Sequence, residues 1–335
     1  MPFPFRHALW IAVRFAALCV VATVPAIAAA QRASSAGAEQ NYPTRPIRLI
    51  VPQAAGGSND IMARTIGNYL TERLDRQVVV DNRPGAEGML GTEIVARSAP
   101  DGYTLLMVSA AFTMNPAVRK VPYDSLKAFD WVAMLGSGPT VLTVGPSLPV
   151  SSVQELLAAG KAKPGHLNMA ASTGAGHFWS AFFRSLSGVD FVILVYKGGF
   201  PAMIDVMGGQ AHMTVGSIVQ ALPFIRSGKL KPLATGGTRR AATLPDLPTI
   251  AEAGVPGYEA SNWWALAVAA GTPPAIIARI NAEVARYLNL PETRKRFTDG
   301  GTEVDIKTPG ELRKMILTDM ARWAKVAKET GMRVE

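Results

Sequence analysis

Apolar residues recur along this chain with two periods, and the alternation between them outlines an architecture. Residues 47–51, Ile-Arg-Leu-Ile-Val, form a short apolar run that stops at Pro52, the signature of a strand. Met62, Ile66, Tyr69 and Leu70 then fall at helical spacing, so a helix is expected from about 59 to 74. A second strand at 77–81, an Asn-Arg-Pro-Gly turn at 82–85, a helix over 86–97, a Pro-Asp-Gly turn and a strand at 103–108 complete a βαβαβ unit. Its strands are almost wholly apolar, which implies a parallel sheet covered on both faces. The alternation resumes with strands at 141–144, near 167–171, at 191–195 and at 211–215. They are separated by helices at 152–162, 179–187 and 201–207, and another helix follows at 218–226. After residues 231–235, a Gly/Pro-rich stretch at 236–257 leads to a strand at 264–269 and then to three helices, 274–288, 291–299 and 309–330. All three of these begin with Pro, as a helix start allows. No repeat or low-complexity segment interrupts the pattern. The fold class read from this is α/β: two α/β units, with a helical C-terminal stretch that packs on one of them. A cleft between two such units is a natural ligand site.

The first thirty residues do not follow the pattern. Arg6 and Arg14 lie near the start, an apolar core runs from Phe15 to Val24, and small residues occupy 26, 28 and 30. This is the layout of a secretory signal peptide, with cleavage expected near Ala28 or Ala30. The apolar core is too short to span a bilayer comfortably. Cys19, the single cysteine, is preceded by Leu18 rather than the small residue expected of a lipid-anchored Cys. Residues 31–41, QRASSAGAEQN, read as a flexible leader.

The full chain has 335 residues, with 34 Lys+Arg and 25 Asp+Glu. Residues 1–30 carry two Arg and no acid, so the mature chain keeps 32 basic residues and a net charge near +7. It has no cysteine. A secreted chain of this size without disulfides points to a bacterial periplasm, and its length to two domains. No later apolar run reaches the length of a membrane span. The basic residues are scattered, densest at Arg239-Arg240 and Arg294-Lys295-Arg296, and lack the clustered, aromatic-interleaved stripe of a nucleic-acid binder.

Four loops after apolar strands are candidates for a site. The first, Gln53 to Asp60, contains Ala55, Gly56, Gly57, Ser58 and Asn59 before a helix. The two glycines permit positive φ and close approach, Ser58 or Asn59 can cap the helix, and the free N–H groups of its first turn can take an anion. The loop lacks the Lys of a phosphate-binding P-loop; an anion grip and a plain tight turn both remain open. The second, 109–116, offers Ser109, Ala110, Thr113 and Asn115, or a simple Asn-Pro turn. The third, 171–177, holds Ser172, Thr173, Gly174 and His177; the fourth, 195–202, holds Tyr196, Lys197 and Gly198. Loops at the carboxyl ends of parallel strands share a crevice. Catalytic signatures are weak. The histidines after residue 30 are His166, His177 and His212, none spaced for zinc, and there is no G-x-S-x-G elbow. No cofactor is expected.

The segments YPTRPIRLIVPQAAGGSNDIMAR, VVVDNRPGAEGMLGTEIVA, APDGYTLLMVS, NPAVRKVPYDSLKAFD, YKGGFPAMIDVMGGQ, LPDLPTIAEAGVPGYE and AGTPPAIIARINAEV, in this order, closely resemble the Bug family of periplasmic solute receptors. These serve tripartite tricarboxylate transporters. The resemblance runs from Tyr42 to about Lys328. It implies a type II periplasmic binding protein with domain 1 at 42–140 and 266–335, domain 2 at 141–265, and the ligand cleft between them. It also implies that a carboxylate is held by the loops Gln53–Asp60 and Ser109–Asn115, with Ser172, Thr173, Tyr196, Lys197 and Ser217 supplied from domain 2. Two departures stand out: Gln53 replaces a usual aromatic, and the loop at 174–176 looks about three residues short, running straight into His177, Phe178 and Trp179.

The implied function is a periplasmic receptor, not an enzyme. It captures a small carboxylated solute by hinge closure and passes it to the membrane permease subunits, acting as a monomer and without nucleic acid. The alternatives are a sensory receptor on the same fold and a periplasmic hydrolase built on His177.

Overall fold

The computed structural model describes residues 41–331; the expected signal peptide, and the leader up to residue 40, lie outside the described residues. The chain divides into Met1–Thr44, whose described part, 41–44, has no regular structure, and Arg45–Glu335, which carries the fold.

The first strand, β1 (Ile47–Val51), buries Ile47, Leu49, Ile50 and Val51 completely. The helix α1 (Ser58–Leu74) packs back on it through Met62, Ile66, Leu70 and Leu74, one apolar residue per turn, and ends at Asp75 in a left-handed conformation. β2 (Val78–Asn82) and β3 (Thr104–Ser109) flank β1, both parallel to it. Between them lie the 3₁₀ turn Ala86–Gly88 and α2 (Met89–Ala96), where one helix was expected. Residues 109–116, expected as a loop, instead form α3 (Ala111–Val118). Pro116 sits in its last turn, where few hydrogen bonds remain to be lost.

The largest departure from expectation is β4 (Phe129–Val144), sixteen residues of which only the last four were anticipated. Gly136, Gly138 and Pro139 disguise it, because such residues normally end a strand. Here the register shifts twice, between Trp131 and Ala133 and between Met134 and Gly136, and the strand bends through these bulges. Its first part pairs antiparallel with β9 (Ser261–Ala269), which also pairs with β3; its last part pairs with β7 (Met213–Ser217) and β8 (Lys231–Thr235). β4 is thus common to two groups of strands, in the order β2-β1-β3-β9-β4-β7-β5-β6 with β8 beside β4. In the second group β5 (Asn168–Ser172) lies parallel to β6 (Val192–Tyr196) and to β7.

Helices cover both groups: α4 (Val153–Ala162), α5 (Ala175–Ser187), α6 (Gly199–Met207) and α7 (Ile218–Arg226), then α8 (Pro274–Asn289), α9 (Pro291–Asp299) and α10 (Pro309–Thr330). α5 begins four residues earlier than expected, and its first nine residues are all buried. α8 packs on α1 and β4, and α10 on α3 and β4. α10 also reaches α5, where Trp323 meets Phe182 edge-on with centroids 5.7 Å apart. No described helix is long and apolar enough to cross a membrane.

Candidate functional site

The parallel strands place their carboxyl ends around one cleft, whose non-atom space is about 580 Å³ with open solvent included. Gln53 and Ala54 follow β1, Ser109 ends β3, Ser172 ends β5 and Thr173 follows it, Gly198 follows β6 and Ser217 ends β7; Asn262 enters from β9. This is where a ligand binds in sheets of this kind.

Four helices begin at the cleft. Their N-caps are Gly57 for α1, Gly174 for α5, Gly198 for α6 and Ser217 for α7, and none of these makes a side-chain capping bond to its own helix. By contrast, Ser152 caps α4 and a Thr308–Glu311 capping box closes α10, both away from the cleft. The expectation that Ser58 or Asn59 caps α1 is therefore not met: both lie inside the helix. Gly56 has φ +79, but Gly57, also expected to favour positive φ, is extended at φ −77. Each helix start leaves N–H groups without an intrahelical acceptor and carries about half a positive charge. Every residue lining the cleft is uncharged. Any positive field at this wall therefore comes from backbone dipoles rather than from lining Lys or Arg side chains.

A rigid amide network supports the α1 side. Asn59 is 5% exposed. Its Nδ2 donates to Gln53 Oε1 and, at 2.9 Å, to Ser109 Oγ, and its Oδ1 accepts from Trp264 Nε1 at 3.0 Å. Asn82 Nδ2 donates to the Gln53 carbonyl at 3.1 Å. Asn262 Nδ2 lies 3.4 Å from Ser58 Oγ, and its Oδ1 accepts the Ala110 N–H at 3.3 Å. On the opposite wall three buried donors have no protein partner: Trp179 Nε1, Ser217 Oγ and Gln220 Nε2. Buried polar groups are ordinarily satisfied, so these three are donors available to a bound acceptor.

Of the residues expected at the site, Gln53, Gly57, Ser58, Asn59, Ser109, Ser172, Thr173, Gly198 and Ser217 line the cleft. The others lie off its wall. Ala55 and Lys197 are exposed. Asp60 accepts from Gly56 N–H at 3.0 Å and from Arg64 Nε at 2.9 Å. Burial opposes its charge, but these bonds, Arg64 first, prevail and hold the carboxyl below its usual range. Thr113 Oγ1 lies 2.5 Å from Asp319 Oδ2, and Asn115 Nδ2 donates to the Glu87 carbonyl at 3.1 Å. Tyr196 donates to Asp205 at 2.7 Å, and burial, then Asp205, pushes its phenol up to about 12. Gly174 N–H and His177 Nδ1 both engage the Glu87 carboxylate, so His177 is bound to an acid rather than placed beside a nucleophile. Among the described residues there is no cluster suited to a metal ion.

Sequence reasoning missed Gln220 as a cleft residue, Asn262 and Trp264 as supports, and Glu87 altogether; Trp179, noted only as following the short loop at 174–176, lines the cleft. Asn262 and Trp264 had one signal available: a polar residue and a Trp in an otherwise apolar strand near the chain's second half.

Fold and cleft together define an α/β protein with a solvent-accessible cavity at its strand ends. The family described as "Tripartite tricarboxylate transporter family receptor" matches residues 62–332. BugT of Bordetella pertussis is 36% identical over 299 residues, covering 88% of this chain and 92% of BugT. Among solved structures, R. palustris Rpa4515 with adipate is similar at TM-score 0.84 and 33% identity, covering 87% of this chain and 99% of that one. MatC from Rhodopseudomonas palustris with bound malate is similar at TM-score 0.80 and 30% identity, covering 85% and 99%. The chain belongs to the tripartite tricarboxylate transporter receptor family; it is a solute receptor, not an enzyme, with the fold of the periplasmic binding proteins.

Proposed function

We propose that this receptor captures a small carboxylate in the cleft, in the periplasm, and delivers it as a monomer to the membrane permease of a tripartite transporter. Residues 42–140 with 266–335, and residues 141–265, act as two lobes that close on the solute. The observation that carries this reading is the cleft lined by uncharged residues, onto which the starts of α1, α6 and α7 open without a side-chain cap. An anion there gains charge-assisted bonds of about 1.5–3 kcal/mol each. Two or three of them, less the cost of association, support micromolar binding, and reopening releases the solute because no buried cation holds it. The expected binding residues are Gln53, Ser58, Asn59 and Ser109 on one side and Ser172, Thr173 and Ser217 on the other. The adipate and malate held by two relatives are of the same chemical class.

A thermal-shift panel tests the reading: malate, adipate, a monocarboxylate, an amino acid and neutral diamides. Stabilisation by carboxylates and not by diamides is expected; the reverse order defeats the proposal.

A further inference from the structure

Glu87 does not line the cleft, yet it ties the two strand groups together beside it. It sits in the 3₁₀ turn Ala86–Gly88, with its side chain 12% exposed. One carboxylate oxygen accepts the N–H of Gly174, the N-cap of α5; the other lies 3.3 Å from His177 Nδ1 in the first turn of that helix. Burial opposes the charge, but the His177 and Gly174 bonds, with Arg119 nearby, outweigh it and keep the carboxyl below its usual range. The seam is close-packed. A Cβ at Gly174 would fall 3.2 Å from Ala111 Cβ and 3.7 Å from both Gln53 Nε2 and the Glu87 carbonyl.

The backbone supplies an independent sign. Ala86 and Glu87 have φ of 47° and 57°, a left-handed pair of residues with side chains. That conformation is costly for anything but glycine, and it persists where surrounding contacts over-determine it. The turn accepts this strain while presenting a carboxylate to a helix of the other strand group. It also fills the N-terminus of α5 with an anion belonging to the protein, leaving α1, α6 and α7 for a solute.

We propose that Glu87 is a positioning residue for capture: seated on the start of α5, its carboxylate latches the closed arrangement and sets affinity without touching the solute. The proposal rests on the reading that a carboxylate is bound by lobe closure. When only a fraction of the empty protein is competent to bind, the apparent Kd is the intrinsic Kd divided by that fraction. A latch raises the fraction in the empty protein, so removing it weakens every solute by one common factor.

Two variants test this. Glu87→Gly removes the carboxylate and relieves the left-handed backbone, so it folds at least as readily as a polar replacement; Glu87→Gln keeps a weaker, neutral acceptor. Small-angle scattering of the empty protein reads closure, and calorimetry reads the Kd of malate and of adipate. The expected result is a larger radius of gyration for Glu87→Gly and a Kd weaker by roughly tenfold or more, the worth of a charge-assisted bond, equal for both probes. Glu87→Gln should fall between. If Glu87→Gly does not fold, His177→Phe, which keeps a ring and loses one bond, carries the same expectation at a smaller size. An unchanged radius with unchanged Kd overturns the latch, and so does a loss confined to one probe, which would make Glu87 a solute contact. If neither probe binds the wild-type protein, the carboxylate reading fails, while the scattering comparison still decides the latch.

Discussion

Gly199→Ala separates solute affinity from stability. Gly199 is the first residue of α6 and lies on the cleft wall beside Gln220. A Cβ there would overlap Gln220 Oε1 and lie 3.0 Å from its Cδ and Nε2. The obstructing atoms are the far end of a flexible side chain, so the amide swings away and the fold stays intact. The amide that leaves carries Nε2, which has no protein partner and is expected to donate to the solute. Losing one hydrogen bond to a charged acceptor costs about 1.5–3 kcal/mol, or roughly ten- to 150-fold in Kd. Stability should change far less, because the entropic gain of about 0.4–1 kcal/mol for Gly→Ala in a helix is offset by the displacement of the buried Gln220 amide. Calorimetric titration with malate or adipate gives the first number and a melting curve the second. The double variant with Gln220→Ala completes a cycle: once Gln220 is truncated, Gly199→Ala should cost no further affinity. A Kd within threefold of wild type refutes the reasoning, as does a full extra loss in the double variant.

Further expectations follow from the same contacts. Asn59→Ala strands the buried Trp264 Nε1 and frees Gln53 and Ser109; it should lower stability by about 1–3 kcal/mol and weaken every carboxylate, measured by denaturant melts and titration. Thr308→Ala opens the capping box of α10, which lies away from the cleft, so about 1 kcal/mol of stability should go with Kd unchanged. For Glu87 the folded carboxyl titrates below its ordinary 4.5. It therefore contributes stability above that value and loses it as pH falls through the lower folded value. The melting-temperature difference between wild type and Glu87→Gln should be full at pH 7 and vanish in strong acid; a difference that grows on acidification contradicts the sign.

The parts of the fold that were legible in the sequence are those whose signal is local. Ile47–Val51, the α1 stripe and the Pro-initiated helices α8 and α9 each declare themselves within a dozen residues. β4 was not legible because its Gly136 is explained only by a bulge against β9, and its Pro139 only by the place where pairing passes from β9 to β7, partners far along the chain. α5 was mistaken at its start because Gly174–Gly176 reads as a loop. In fact Gly174 takes φ 76 as the N-cap, and Gly176 is small because a Cβ would overlap Ser172 Oγ. The site divides in the same way. The first loop's glycines, Ser58 and Asn59 announce a helix start that can meet an anion, whereas Trp179, Gln220 and Glu87 acquire meaning only when two strand groups are brought together.

The central claim is that helix starts and neutral donors, without any cation, hold a carboxylate in this cleft. Isothermal titration of the purified protein with adipate and with its neutral diamide tests it most directly. Saturable binding of the dicarboxylate at micromolar or tighter Kd is expected, with no measurable binding of the diamide. Equal binding of the two, or binding of the diamide alone, contradicts it.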